Sequence, residues 1–225
     1  MSAGMLLFVH TDAVATMRGF ISQLNGTSRV SPEVLSLHLV KPTRDAVRDA
    51  SLHLRDVPEL QHLEHIKRLR PNNAVRDLTA PWRMSPAFTN TYQLVVNLET
   101  VNPEFRAKYP DPNLTLPAGG VEDGETPRLA AHREMFEETR IKIDPALVQG
   151  PPIGLFRGGI RMYPVHAHTY TPMCMRGDTL YIGDIQRIDT FYDRLVLANH
   201  KPPQHQPLKI HFKNGGTSGH EAVSG

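Results

Sequence analysis

Cysteine is nearly absent from this chain. Cys174 is the single one among 225 residues, which excludes an intramolecular disulfide and any multi-cysteine zinc site. A reducing compartment suits such a composition, and a cytoplasmic location is the expectation. Long hydrophobic runs are missing as well. No stretch approaches the roughly 18 apolar residues that a bilayer-spanning helix requires, so no membrane partner is expected. The short apolar run within residues 1–10 has no basic segment ahead of it and fits a secretory signal poorly. Charge of one sign is not in excess either. The formal net charge is +2 and the basic residues are scattered without a concentrated stripe, so a nucleic-acid partner is neither demanded nor forbidden. Internal repeats are also lacking.

What is present is ordinary for a globular protein, with 40% hydrophobic and 21% charged residues. The length allows one elaborated domain, or one domain with a small appendage. Residues 5–9 (MLLFV) predict a strand. Thr11 and Asp12 can cap a helix that stops at Asn25 and Gly26, and VLSLHLV predicts a second strand. Thr43 can open a polar helix to about Leu54, and Pro58 another that ends before Pro71. Residues 1–75 are accordingly expected to form an N-terminal α/β extension that affects substrate choice or assembly.

Residues 71–90 are rich in Pro, Asn and Ser and read as a surface connection. Further strands are expected at residues 92–98 and 114–116, then near 153–156, 162–170 and 179–182, with a last helix over 188–199. The main domain is placed at 76–213. The glycine-rich tail, 214–225, is expected to be disordered.

The chemistry lies in residues 119–141, GGVEDGETPRLAAHREMFEETRI. Thr126 and Pro127 form a helix start, with proline at the first helical position, where its missing N–H costs nothing. Glu134, Glu137 and Glu138 then fall at i, i+3 and i+4 on one helix face. Three like charges repel there, near the end of the helix whose dipole also disfavours anions, so the cluster calls for a cation. Carboxylate oxygens suit Mg²⁺ or Mn²⁺. Mg²⁺ commonly binds through few protein carboxylates together with water and substrate phosphates, so a phosphate-bearing substrate is expected. Arg133 can orient or partly neutralise the acids, and the glycine-rich loop 118–124 lets the backbone come close to metal and substrate.

This segment resembles the Nudix box. That pattern is a glycine, five residues, a glutamate, seven residues, Arg-Glu, an apolar residue, any residue, Glu-Glu, any residue, a glycine and an apolar residue. Gly119, Glu125, Arg133, Glu134, Met135, Glu137, Glu138 and Ile141 fill those places, and Arg140 stands where the pattern has glycine. Glycine at a helix end commonly serves a left-handed backbone, which arginine adopts at a cost of roughly 1 kcal/mol.

The resemblance implies an α/β fold, a Nudix-type α/β/α sandwich with a mixed sheet, here with the N-terminal α/β extension. It also implies a pyrophosphohydrolase that cleaves a nucleoside diphosphate linked to another moiety, with Mg²⁺ or Mn²⁺ as cofactor. Carried over residue by residue, Glu134, Glu137 and Glu138 are the metal ligands, together with the backbone carbonyl of Ala118. Glu137 and Glu138 have the best claim to activate water, Arg133 supports the acids, and Glu125 is an outer-sphere candidate. Asp178 and Asp184 are candidates for a further acid from a later loop. Gly119, Gly120, His166 and His168 are placed at the substrate.

The expected partner is a nucleotide-type diphosphate, with the cap of RNA included and homodimerisation allowed for. The alternative is a Nudix-fold component that binds RNA or protein with little hydrolysis, for which loss of box acids would be the usual sign. All of the acids are present. Among other residues, the pairs His62/His65 and His166/His168 lack a third nearby ligand and read as ordinary surface or packing pairs rather than metal ligands, Trp82, Phe88 and Tyr92 as core rather than base-stacking platforms, Cys174 as a buried thiol, and Gly158–Gly159 as a hairpin turn.

Overall fold

The computed structural model describes residues 1–27, 31, 33–54, 69–100 and 112–199. The chain opens with β1 (Ser2–His10), α1 (Val14–Asn25), β2 (Val34–Val40) and α2 (Ala46–Leu54). Next come β3 (Arg70–Pro71), α3 (Asn73–Leu78), α4 (Pro86–Thr91), β4 (Tyr92–Glu99), β5 (Asn113–Thr115) and β6 (Ala118–Gly120). Then follow α5 (Pro127–Thr139), β7 (Ile141–Ile143), β8 (Ile153–Leu155), β9 (Ile160–Ala167), β10 (Met173–Arg176), β11 (Thr179–Ile182) and α6 (Ile185–Asn199). Among the described residues, no helix is long and apolar enough to cross a membrane.

Strand β1 organises the main sheet, whose order is β3-β5-β4-β1-β9-β8. It runs parallel to β9 from Ser2↔Ile160 to Val9↔Ala167. Its other edge is shared: residues 8–10 pair antiparallel with β4, and residues 2–4 with β6. Strand β4 is forked in the complementary sense, pairing β1 near Tyr92 and β5 near Asn97, while β2 takes its far edge. A second sheet, β10-β11-β7, contains a parallel β11/β7 pair.

The continuous apolar run of β1 is what a strand covered on both faces needs. Met5, Leu7 and Val9 face a core shared with Met17 and Ile21 of α1 and with Ala130 and Met135 of α5. Leu6 and Phe8 face the opposite way, onto Ala50 of α2 and Val75 and Leu78 of α3. Helices thus cover both faces of a mixed sheet, the expected α/β/α sandwich. Each of the Met, Leu, Ile, Val and Phe side chains among these contributes about 1.5–3 kcal/mol by leaving water.

The expected N-terminal module takes a different form. Residues 1–75 supply the central strand of the main sheet, and Met1–Ile188 form one compact unit, so the fold makes no division near residue 75. The reason is the buried register of β1, which cannot be withdrawn without exposing both cores. The remaining unit, Asp189–Gly225, is described through Asn199. The helix expected to open at Pro58, the histidines 62 and 65, and the tail 214–225 lie outside the described residues.

Residues 71–90 hold two capped helices rather than a bare connection. Asn72 caps α3 by accepting from Val75 N–H, and Ser85 caps α4 by accepting from Phe88 N–H. Phe88 and Tyr92 pack around Phe8, as expected of core aromatics, whereas Trp82 is 78% exposed. Cys174 is free and half-buried in β10, less covered than the expected buried thiol. The Gly158–Gly159 segment does form the hairpin turn between β8 and β9.

Candidate active site

Helix α5 begins where the sequence places it. Thr126 accepts from Leu129 N–H, Pro127 occupies the first turn, and Ala130, Ala131 and Met135 are fully buried against the β1 core. Small alanines let the helix approach the sheet closely, and its next face then meets β4 and β6. On that face the predicted acids converge.

Arg133 is the hub. Nε and Nη2 donate to the two oxygens of Glu125, each at 3.0 Å, and Nη2 also donates to Gly120 O at 2.8 Å. Nη1 donates to Glu134 Oε1 at 2.7 Å and to Glu137 Oε2 at 3.1 Å. All five N–H donors of a guanidinium are therefore used, a pattern a lysine cannot reproduce. Hydrogen bonding to Glu125, then to Glu134, raises the Arg133 pKa further and keeps it charged. Glu125 is 3% exposed at its side chain and also accepts from Glu122 N–H. Its bonds make it a brace that fixes the loop and Arg133.

Gly119 is required for steric reasons. A Cβ there would sit 2.3 Å from the carboxyl carbon of Glu134, so any side chain at this point, where β6 passes that carboxylate, would push it off its bond to Arg133. Gly4 serves the same crossing from the other side, since its Cβ would lie 2.1 Å from Pro117 O.

Glu138 is held at the fork of β4. Its Oε2 accepts from Asn97 Nδ2 at 2.8 Å and from Ala118 N–H at 3.2 Å. Because Met5 N–H bonds to Pro117 O, Gly4 and Ala118 face each other as a non-hydrogen-bonded pair. Both the N–H and the C=O of Ala118 therefore point away from β1, toward the Glu138 side. Burial, with Glu99 and Glu134 nearby, pushes the Glu138 carboxyl up to about 9. Burial also raises Glu134 and Glu99 above the usual carboxylate range. Glu137 is the most open of the three box acids, with 45% of its side chain exposed.

Asn97 and Glu99 were not foreseen. They lie two residues apart on one face of β4, and Asn97 Nδ2 is 3.5 Å from Glu99 Oε1 as well as bonded to Glu138. A fully buried asparagine inside the apolar run YQLVVNL was the available signal.

Four carboxylates thus gather here, Glu134 and Glu137 at Arg133 and Glu99 and Glu138 at Asn97, and burial raises three of them, Glu99, Glu134 and Glu138, toward the protonated form. Such a set fits a hard divalent cation bound through oxygen.

The other expected site residues go elsewhere. Arg140 ends α5 in the left-handed conformation, φ 63° and ψ 24°, the geometry that the box glycine serves. Its side chain compensates through Asp178, with Nη2 at 2.9 Å from each carboxylate oxygen, and lies 4.4 Å from the Phe136 ring centroid. Asp178, its carboxyl held below the usual range by Arg140, is therefore a helix-end partner instead of a fourth box acid. Asp184 accepts from Arg187 N–H at 2.9 Å, a cap at the start of α6.

His166 and His168 sit on the sheet face away from α5. His166 stacks on Phe8 at 5.6 Å and His168 on His10 at 4.8 Å, toward the far end of β1 from Gly119. Their side chains follow the even-numbered register of β1, which the alternation of a strand turns away from the box helix.

No solved structure matches the chain. A family model described as the NUDIX domain matches residues 101–172, a span that contains the whole of α5 and the β6 loop before it. With the box residues arranged as described, this match identifies a NUDIX domain within the chain, over residues 101–172.

Proposed function

We propose that the protein hydrolyses a nucleoside diphosphate linked to another moiety, with Mg²⁺ or Mn²⁺, and that capped RNA ends fall within the substrate class. The observation that carries this reading is the convergence of Glu134, Glu137 and Glu138 beside the Gly119–Gly120 strand, with Arg133 donating to two of them. A divalent ion held by these carboxylates and the Ala118 carbonyl would supply positive charge against the phosphate oxygens and acidify bound water.

The protein's own part is positioning and proton handling. Arg133 locks Glu134 and the Gly120 carbonyl in one arrangement, so the acids need little reorganisation when substrate arrives. Glu137, open to solvent, is suited to orient the attacking water. Glu138, whose carboxyl burial pushes up to about 9 in the metal-free protein, is protonated at neutral pH until a cation arrives to favour its ionised, ligating form. Asn97 and the Ala118 N–H hold that carboxylate in place throughout.

The test is a hydrolysis screen of nucleoside diphosphate derivatives and capped RNA, with and without Mg²⁺ or Mn²⁺, read by product identity. Nucleoside phosphates released only with metal would support the reading and locate the attacked phosphorus. Turnover unchanged by exhaustive chelation would overturn it.

A further inference from the structure

The face of the main sheet opposite α5 carries a second set of donor atoms. His10 ends β1, and Asp12 lies in the 3₁₀ turn that follows, Thr11–Ala13. His168 follows the last residue of β9, whose parallel register with β1 carries on from Val9↔Ala167 to set it beside His10. One ligand atom from each of His10, Asp12 and His168 lies within 4.8 Å of the other two. The set is accessible: His10 and Asp12 have 28% and 42% of their side chains exposed, and His168 is half-buried.

The contacts within the set leave room for a cation. His10 Nδ1 lies 2.8 Å from Asp12 Oδ1 and accepts the Asp12 N–H at 3.2 Å. Nδ1 has a single in-plane site, so the 2.8 Å contact is met either by an Nδ1–H donated to the carboxylate or by a metal ion that takes the place of that proton and of the Asp12 N–H. Tetrahedral ligands about 2.1 Å from a metal are themselves about 3.4 Å apart, so an ion would part these two atoms by roughly half an ångström.

Outer partners are in place as well. Thr169 Oγ1 donates to Asp12 Oδ2 at 3.2 Å, and Tyr92 Oη lies 3.3 Å from His168 Nε2. The Tyr170 ring stacks on His168 at 4.8 Å. Hydrogen bonds and rings of this kind orient imidazole and carboxylate ligands.

We propose that His10, Asp12 and His168 form a binding site for a borderline divalent ion of the Zn²⁺ class, separate from the glutamate cluster. Two imidazoles and one carboxylate suit Zn²⁺ over Mg²⁺, which prefers oxygen alone. Three protein ligands leave a coordination position for water or a small ligand. Along β4, Tyr92 at this site and Asn97 at the glutamate cluster are five residues apart, about 17 Å at the rise of a strand, and on opposite faces. An ion here would tie the end of β1 to the end of β9.

Zn²⁺ titration of the full chain by calorimetry, with Co²⁺ absorption as a coordination probe, tests the site. The unaltered protein is expected to bind one Zn²⁺ that survives Glu137→Gln and Glu138→Gln. His10→Ala and His168→Ala should each weaken that binding at least about tenfold and abolish the Co²⁺ ligand-field band. Asp12→Asn, a near-isosteric change at an exposed residue, keeps the test valid should a histidine variant fail to fold, and should also weaken binding. Zn²⁺ affinity unchanged in Asp12→Asn and in the folded histidine variants would overturn the proposal. So would Zn²⁺ binding lost only in the glutamate variants, or no binding by the unaltered chain.

Discussion

The two ends of β1 gather different donor chemistry. Near Ser2 the strand lies beside β6, and the neighbouring acids are packed, braced by a fully used guanidinium and short of compensating positive charge. Near His10 it lies beside Tyr92 and His168, where imidazoles, one open carboxylate and stacked rings replace the acids. The difference follows from strand alternation. One rigid strand presents odd residues to α5 and even residues to the other face, so adjacent positions serve unrelated environments. Burial sets the rest: oxygen donors crowded away from water are driven toward protonation unless a cation arrives.

That comparison depends on β1 being indispensable to both ends, and the largest expected effect comes from deleting it. A variant beginning at Asn72 should not fold, because it lacks the strand between β4 and β9 and leaves both cores open. Circular dichroism and solubility decide this. A soluble, cooperatively melting fragment with metal-dependent turnover would show that the hydrolytic end stands without the strand.

Next in size is Glu138→Gln, which should lower turnover by about 10²-fold or more while the fold persists. It should also alter stability. The folded carboxyl titrates near 9 against an ordinary 4.5, so the native state holds the extra proton between those values. This contribution to the metal-free protein is full below 4.5 and is lost as pH rises through 9. His132 works in the opposite sense: burial and the nearby Arg128 lower it from 6.5 to about 3, so its contribution is full above 6.5 and lost as pH falls toward 3. Melting of the metal-free protein between about pH 7 and 9 thus stays clear of the His132 transition and reads the raised carboxyls, of which Glu138→Gln removes one. The variant should show a flatter decline there, and a decline as steep as in the unaltered chain would remove Glu138 from the anion-rich end.

The smallest effect is expected at the helix exit. Arg140→Gly relieves roughly 1 kcal/mol of left-handed strain and forfeits an ion pair with a half-exposed aspartate, worth about 0–1 kcal/mol. Stability should change by less than about 1 kcal/mol and turnover little. A large loss of turnover in denaturation-matched conditions would tie Asp178 to the acids after all.

The box helix was readable because its requirements are local: a Thr-Pro start, alanines on the packed face, and acids at i, i+3 and i+4. Its limits agree with the expected ones to a residue or two, and even the strained exit at Arg140 was legible from the missing glycine. Long-range pairing was less so. The short strands β6, β7 and β10 have only three or four residues each and too little periodicity to announce themselves. The role of residues 1–10 could not be read from MLLFV alone, since a buried central strand and the core of a separate module share that pattern. For the same reason His166 and His168 were placed at the substrate: their order in the chain follows the box, but only the register with β1 fixes the face they occupy. Asn97 and Glu99 joined the site through the fork in β4, which pairs residues far apart in sequence.

The position of β1 also has a consequence for how the chain is made. Synthesis delivers MLLFV well before β4, and its parallel partner β9 is complete only at Ala167. Until then this uncharged segment has only the short pairings with β4 and β6 at its two ends, and the loop that must close to give it its longest partner is among the longest in the fold. Folding should therefore be limited by a late, non-local step, and nascent chains that stall before β9 should be the species that chaperones hold.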